Sequence, residues 1–221
     1  MGKQFDTTVP AVRLWSRSTT AVWCKTAEEH GSLSNMANGM PLSVERVRDG
    51  QVVETIVFPS GEHLFQWIGF LGLPEHQARI LAAGHAMQSK FVAWERVKER
   101  RRDWREMNVR GMAFVQTVRL QSARYRAALA GTGDREIAEL SMKDSFWGAK
   151  PQPSGDLLGQ NVVGSLQKQL RDGARLWELD DLRVPMHLVG EIPAAPSPRP
   201  VAIVDPSASL KSRLLGTRAV G

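Results

Sequence analysis

Val52-Val53-Glu54-Thr55-Ile56-Val57-Phe58-Pro59-Ser60-Gly61-Glu62-His63-Leu64-Phe65-Gln66 changes its period in the middle. Up to Phe58 the stretch is rich in β-branched residues. Together with Leu42-Ser43-Val44-Glu45-Arg46-Val47 and a turn at Asp49-Gly50, it predicts a β-hairpin. From Pro59 onward Leu64, Phe65, Ile68 and Leu71 recur at helical spacing, and Ser60 is placed to cap a helix start. Strands before this point and helices after it predict an α+β fold, a helix-dominated single domain with a small antiparallel sheet.

The reading extends in both directions. Residues 10–58 carry short strand patterns, among them Ala21-Val22-Trp23-Cys24-Lys25, in which Cys24 reads as a buried, inert thiol. On the helical side, Pro74 ends the first helix, a second runs from Glu75 to Ala83, and a third runs from His85 into a basic patch. A longer helical stretch starts at Asp103 and carries Trp104, Met107, Met112, Val115 and Leu120 towards Leu129, before Gly131-Thr132-Gly133-Asp134 breaks it. A short helix, a loop from Asp144 to Gly159 and a last amphipathic helix from Gln160 to Leu176 complete the pattern. Beyond Trp177 the run Glu191-Ile192-Pro193-Ala194-Ala195-Pro196-Ser197-Pro198-Arg199-Pro200 has polyproline character, so a Pro-rich C-terminal tail is expected. The expected organisation is an N-terminal extension over 1–21, a domain over 22–176 and a C-terminal extension over 177–221.

Composition narrows the class. The 221 residues are 42% apolar and 24% charged, values of an ordinary globular chain that argue against wholesale disorder. No apolar run reaches the roughly 20 residues of a bilayer span, and no secretory stretch opens the chain, so a cytoplasmic protein with no membrane partner is expected. A single cysteine excludes an intrachain disulfide framework. The net charge of +6 is concentrated at Arg96-Val97-Lys98-Glu99-Arg100-Arg101-Arg102-Asp103-Trp104-Arg105. Its interleaved acids read first as a solvated helix face and only secondarily as a surface for phosphate-bearing partners.

Residue patterns alone single out few chemical groups. Glu62 falls in the first turn of its helix, where the dipole favours a carboxylate, and Gln66 shares its face four residues on. By themselves these read as a cap and a solvated glutamate. His63 and Trp67 form another i, i+4 pair, with no partner at metal spacing, so no metal is expected. Asp144-Ser145-Phe146-Trp147-Gly148, followed by Gly159-Gln160-Asn161-Val162-Val163-Gly164, places an acid, aromatics and glycines before a helix start, where a sugar or phosphate can sit. A Walker loop and a Rossmann fingerprint are absent, and no cofactor is expected.

In order, these pieces resemble the NADAR family, also called YbiA-like. The matching residues are Leu33-Ser34-Asn35, Pro59-Ser60-Gly61-Glu62-His63-Leu64-Phe65-Gln66, Asp103-Trp104, Gln121, Thr132-Gly133-Asp134, Asp144, Trp147-Gly148, Gly159, Asn161 and Gly164. The resemblance spans residues 22 to 176. It implies an N-glycosidase that cuts a ribose C1′–N bond, on ribosylamino-pyrimidine phosphates of the riboflavin pathway or on ADP-ribose attached to guanine in nucleic acid. It also implies Glu62 and Asp144 as catalytic carboxylates and Lys90 as the candidate for a covalent route. Ser34, Asn35, His63, Gln66, Trp104, Trp147, Gly148 and Asn161 would then bind substrate. The chain departs from the family pattern at Gly69, where a lysine is usual, at Val118-Arg119, where Lys-Phe is usual, and in the segment after Trp147-Gly148. A non-catalytic module binding NAD or ADP-ribose, and an accessory protein that assembles through its tail, stand as alternatives. The oligomeric state stays open.

Overall fold

The computed structural model describes residues 5–48 and 51–174. The expected turn at Asp49-Gly50 and the C-terminal extension over 177–221 lie outside the described residues. The hairpin forms as the pattern predicts. Strand β3 (Leu42–Arg48) pairs antiparallel with β4 (Gln51–Phe58), Leu42 opposite Phe58 and Val44 opposite Ile56. Leu42, Val44, Ile56 and Phe58 all point into the core.

Helix α1 (Gly61–Ile68) follows directly. Ser60 caps it, its hydroxyl accepting from the His63 N–H, as the sequence predicts. Pro74 does not end α1 as expected. The helix stops at Ile68, and Pro74 instead opens α2 (Pro74–Leu81), where a missing N–H costs nothing. Helix α3 (Ala86–Glu95) starts at His85, whose ring Nδ1 accepts the Gln88 N–H. The long helical stretch divides in two: α4 (Trp104–Val118) ends in a 3-10 turn over Arg119–Gln121, and α5 (Ala123–Gly131) begins after the new cap Ser122.

The short helix expected after Gly131 is a strand. β5 (Glu136–Glu139) pairs in parallel with β2 (Thr20–Trp23), Ile137 opposite Ala21 and Glu139 opposite Trp23. A four-residue apolar-polar run carries no local trace of a partner more than a hundred residues away. Inside the expected loop, β6 (Lys150–Pro151) and β7 (Leu157–Gly159) join β1 (Arg13–Trp15) in a three-stranded antiparallel sheet of order β1-β7-β6. The Trp15 indole donates to Gly159 O at 3.0 Å, so this stretch of the expected N-terminal extension packs on the domain. The last helix is α6 (Val162–Arg171).

The core gathers Phe58, Leu64, Ile68, Phe70, Phe114, Val118, Ile137 and Leu166, with α1 at its centre, every residue of which is buried. Cys24 corrects the expectation of a buried thiol: β2 ends at Trp23, and the sulfur-bearing residue beyond it is exposed. No helix among the described residues is long and apolar enough to cross a membrane.

A carboxylate-lined cavity as candidate active site

The N-terminus of α1, the C-terminal end of β5, the Ser141–Trp147 loop and the side chains of α3 and α4 enclose a cavity of about 330 Å³. Of the residues predicted from sequence, Glu62, Asp144, Lys90, Ser34, Asn35, Gln66, Trp104 and Trp147 line it. His63, Gly148 and Asn161 do not, and each has a structural task instead.

Glu62 is the second residue of α1, and its backbone N–H donates to Asn35 O at 3.0 Å. The residue is 6% exposed, and its side chain accepts on Oε1 from Gln66 Nε2 at 2.7 Å. Burial raises the Glu62 pKa above the ordinary glutamate value, against the opposing pull of Lys90, the Gln66 hydrogen bond and Arg100. Asp144 is held differently. Its Oδ1 accepts the backbone N–H groups of Phe146 at 2.8 Å and Trp147 at 3.0 Å, which folds the loop into a turn and aims the carboxylate at the cavity.

A third carboxylate belongs to the site. Glu139 ends β5 and lines the cavity. Burial, with Glu62 and Asp144 as like-charged neighbours, pushes its pKa up to about 7. Sequence pattern does not reveal it, because its segment reads as a helix and so belongs to no particular wall. Arg100 escapes the sequence reading as well. Its basic patch reads as solvent-facing, and its neighbours pair with the interleaved acids: Arg96 with Glu99, and Arg101 with Asp103. Arg100 itself turns inward to donate to Gln66 Oε1 and lines the cavity. Glu62, Glu139 and Asp144 share one cavity without converging closely enough to hold a metal ion.

One wall is aromatic. Phe65 contacts Trp104 with ring centroids 5.2 Å apart and meets Trp147 edge-on at 5.3 Å, while Trp94 and Lys90, 5.3 Å from ring centroid to Nζ, stand at the α3 side. Buried polar atoms of Trp23 (Nε1), Arg100 (Nε) and Asn108 (Oδ1), all in wall residues, have no hydrogen-bond partner among the described residues. Unpaired buried groups are uncommon in folded chains, and three of those among the described residues lie around this one cavity.

The remaining predicted binders hold the scaffold. His63 is fully buried, with Nδ1 2.8 Å from Ser60 Oγ and Nε2 3.0 Å from Ala83 O, so it ties the start of α1 to the α2–α3 connection. Asn161, the residue before α6, has a left-handed backbone (φ 50°) and spends both ends of its amide on β5. A Cβ on Gly148 would come 2.7 Å from Glu139 O, so this glycine permits the loop to lie against β5. Ser34 and Asn35 reach the cavity, but the Asn35 side chain is committed: Oδ1 accepts from Gln116 Nε2 at 2.9 Å and from Arg119 Nη1 at 3.0 Å.

The family model of the NADAR domain matches residues 22–175. Over 172 residues the chain is 31% identical to a riboflavin biosynthesis protein of Vibrio vulnificus, an alignment that covers 77% of this chain and 41% of that protein. The chain thus spans about two fifths of the length of that relative. Among solved structures it is similar to the NMR structure of the Escherichia coli protein YbiA, with a TM-score of 0.54 and 22% identity, covering 76% of this chain and 92% of YbiA.

Proposed function

The chain belongs to the NADAR family, and from that premise we propose that it is an N-glycosidase that hydrolyses a ribose C1′–N bond. The substrate is ADP-ribosylated guanine in nucleic acid or a related ADP-ribosyl or ribosylamino compound, such as a riboflavin-pathway intermediate. One observation carries this reading: a single cavity brings together carboxylates in different electrostatic environments, Glu62 and Glu139 with raised pKa values and Asp144 fixed by two backbone N–H groups.

Breaking the bond leaves positive charge on the sugar and negative charge on the departing nitrogen. The site must supply an anion or an activated water at C1′ and a proton at nitrogen. Glu62, in the cavity and accepting from Gln66, takes a proton from the attacking water as the water oxygen attaches to C1′. Glu139, titrating near neutrality, delivers a proton to the leaving nitrogen. Asp144 accepts from ribose hydroxyls, and Phe65, Trp104 and Trp147 receive the leaving base. The products are a ribose bearing a 1-hydroxyl and the free base or amine, with one water consumed.

Lys90 supports a second route, because it lines the same cavity as the carboxylates. A ribosylamine in its open-chain imine form can exchange its amine for the Lys90 Nζ, forming a Schiff base at C1′ that water then releases. Borohydride trapping decides for this residue: an adduct lost in Lys90→Ala supports it, and an adduct retained in that variant rejects it.

Mass spectrometry of purified protein incubated with ADP-ribosylated guanosine DNA, NAD and a ribosylamino-pyrimidine phosphate tests the main reading. Turnover of one substrate, lost in Glu62→Gln, is expected. Binding of ADP-ribose with no turnover of any substrate would overturn the glycosidase reading in favour of a binding module.

A further inference from the structure

Arg100 follows the 3-10 turn Val97–Glu99 and is the arginine of the basic patch that lines the cavity. Its guanidinium carbon lies 5.4 Å from the Phe70 ring centroid and 5.2 Å from that of Trp104. Position 69 borders this arrangement: a Cβ there would make ordinary contacts with Arg100 Nε at 3.6 Å and the Trp104 ring at 3.5 Å, and a tighter one with Gln66 O at 3.2 Å. The Arg101 N–H, donating to Gly69 O at 2.9 Å, pins the two segments together.

From there a two-bond relay runs inward. Arg100 Nη2 donates to Gln66 Oε1, and Gln66 Nε2 donates to Glu62 Oε1 at 2.7 Å. The sense of the relay is dictated by chemistry. A guanidinium has donors only, so the Gln66 carbonyl must face it, and the amide NH₂ is left for Glu62, which must then accept. An accepting oxygen next to a relayed positive charge favours the carboxylate over the acid.

We infer that Arg100, acting through Gln66, is a positioning residue that keeps the buried Glu62 side chain ionised and aimed into the cavity. The inference concerns the group that the glycosidase reading uses at C1′, and its rate effects rest on that reading. The other charged groups around Glu62 in the cavity are Lys90 from α3, which assists, Glu139 from β5, which opposes, and Asp144 from the following loop, which acts on Glu139. Helix α4 contributes the uncharged Asn108, and α2 brings no titratable group to the cavity. Behind α1, Arg119 is engaged by carbonyl and amide oxygens of other residues.

The test is titration of the Glu62 carboxyl ¹³C resonance, assigned by its loss in Glu62→Gln, in wild type and variants whose folding is checked by melting. Arg100→Met is expected to raise the Glu62 midpoint by about one pH unit, a tenfold change in proton affinity. Gln66→Leu should act alike, and the double variant should add little, because the two residues work in series. Arg100→Lys, which keeps the charge, should bring the midpoint part of the way back. Lys98→Met, an exposed change of equal charge in the same patch, should leave the midpoint in place. An unmoved midpoint in Arg100→Met, or an equal displacement in Lys98→Met, overturns the inference. In turnover assays Arg100→Met is expected to lower kcat and move the acidic limb of the pH profile upward with KM within about threefold. A raised KM with an unmoved limb would make Arg100 a substrate-anion ligand instead. If no substrate turns over, the glycosidase reading falls alone, since the ¹³C midpoints still decide the role of Arg100.

Discussion

Asn161 accepts the backbone N–H of Glu139 on Oδ1 at 3.1 Å and returns Nδ2 to Ile137 O at 2.8 Å. One fully buried amide thus ties the start of α6 to the end of β5, where a cavity carboxylate emerges. Its left-handed backbone suits asparagine better than most residues. Asn161→Ala should cost about 2–4 kcal/mol, from two lost hydrogen bonds that leave buried backbone groups unpaired. Urea unfolding measures this, and a loss under about 1 kcal/mol would show that β5 does not depend on the link.

Arg119 is the buried cation of the scaffold. Its guanidinium donates to the backbone oxygens of Leu33, Ser32 and Ser34 and to the side chains of Asn35 and Gln116, all at 2.8–3.0 Å. Burial lowers its pKa to about 10, which leaves it charged at neutral pH. Arg119→Met should destabilise by at least about 3 kcal/mol, since several buried acceptors lose their donor together. Arg119→Lys should recover only a fraction, because an ammonium cannot span the same fork. Thermal melts of the three proteins rank them, and an order with lysine at or above arginine would show that charge alone, without the fork, holds these acceptors.

Trp104 meets Phe65 at 5.2 Å, carries the Arg100 guanidinium 5.2 Å from its ring centroid and lines the cavity, so in the proposed reading it offers a ring for a leaving base to stack on. Trp104→Ala is expected to raise KM by roughly ten- to a hundredfold, matching about 1–3 kcal/mol of stacking per base. Steady-state kinetics at fixed pH reads the change. An unchanged KM would place the base elsewhere in the cavity.

The parts of this molecule legible in its sequence are those set by near neighbours. The period change at Pro59, the Ser60 cap and the α1 face carrying Glu62 and Gln66 all depend on residues within one or two turns, and they stand as read. The parallel β2–β5 pair does not, since Glu136–Glu139 finds its partner at Thr20–Trp23. Glu139 is hidden along with its strand. Arg100 is hidden for another reason: the interleaved acids around it do pair with neighbouring arginines of the run, and nothing in the local pattern tells which arginine turns to Gln66 instead. His63 and Asn161 show the converse, where motif membership marks residues that build the walls rather than line them.

Glu139 should leave a signature on stability. Its folded pKa of about 7 lies above the ordinary 4.5, so between these values the folded chain holds a proton that the unfolded chain has released. Stability therefore falls as pH rises from about 4.5 to 7, and this contribution is flat above that window. The raised Glu62 pKa works in the same direction. His63, whose pKa burial lowers, works oppositely, costing stability as pH falls below 6.5. Comparison with Glu139→Gln reads this group together with its repulsion of Glu62. The variant should gain on wild type by up to about 3 kcal/mol between pH 5 and pH 8, at about 1.4 kcal/mol for every tenfold change in proton affinity. Urea unfolding at the two pH values measures the difference, and a gap that stays constant with pH would return Glu139 to an ordinary carboxylate. If Glu139 is the proton donor, kcat of the wild type should also fall above pH 7, and Glu139→Gln should lose that limb together with at least about a hundredfold in rate.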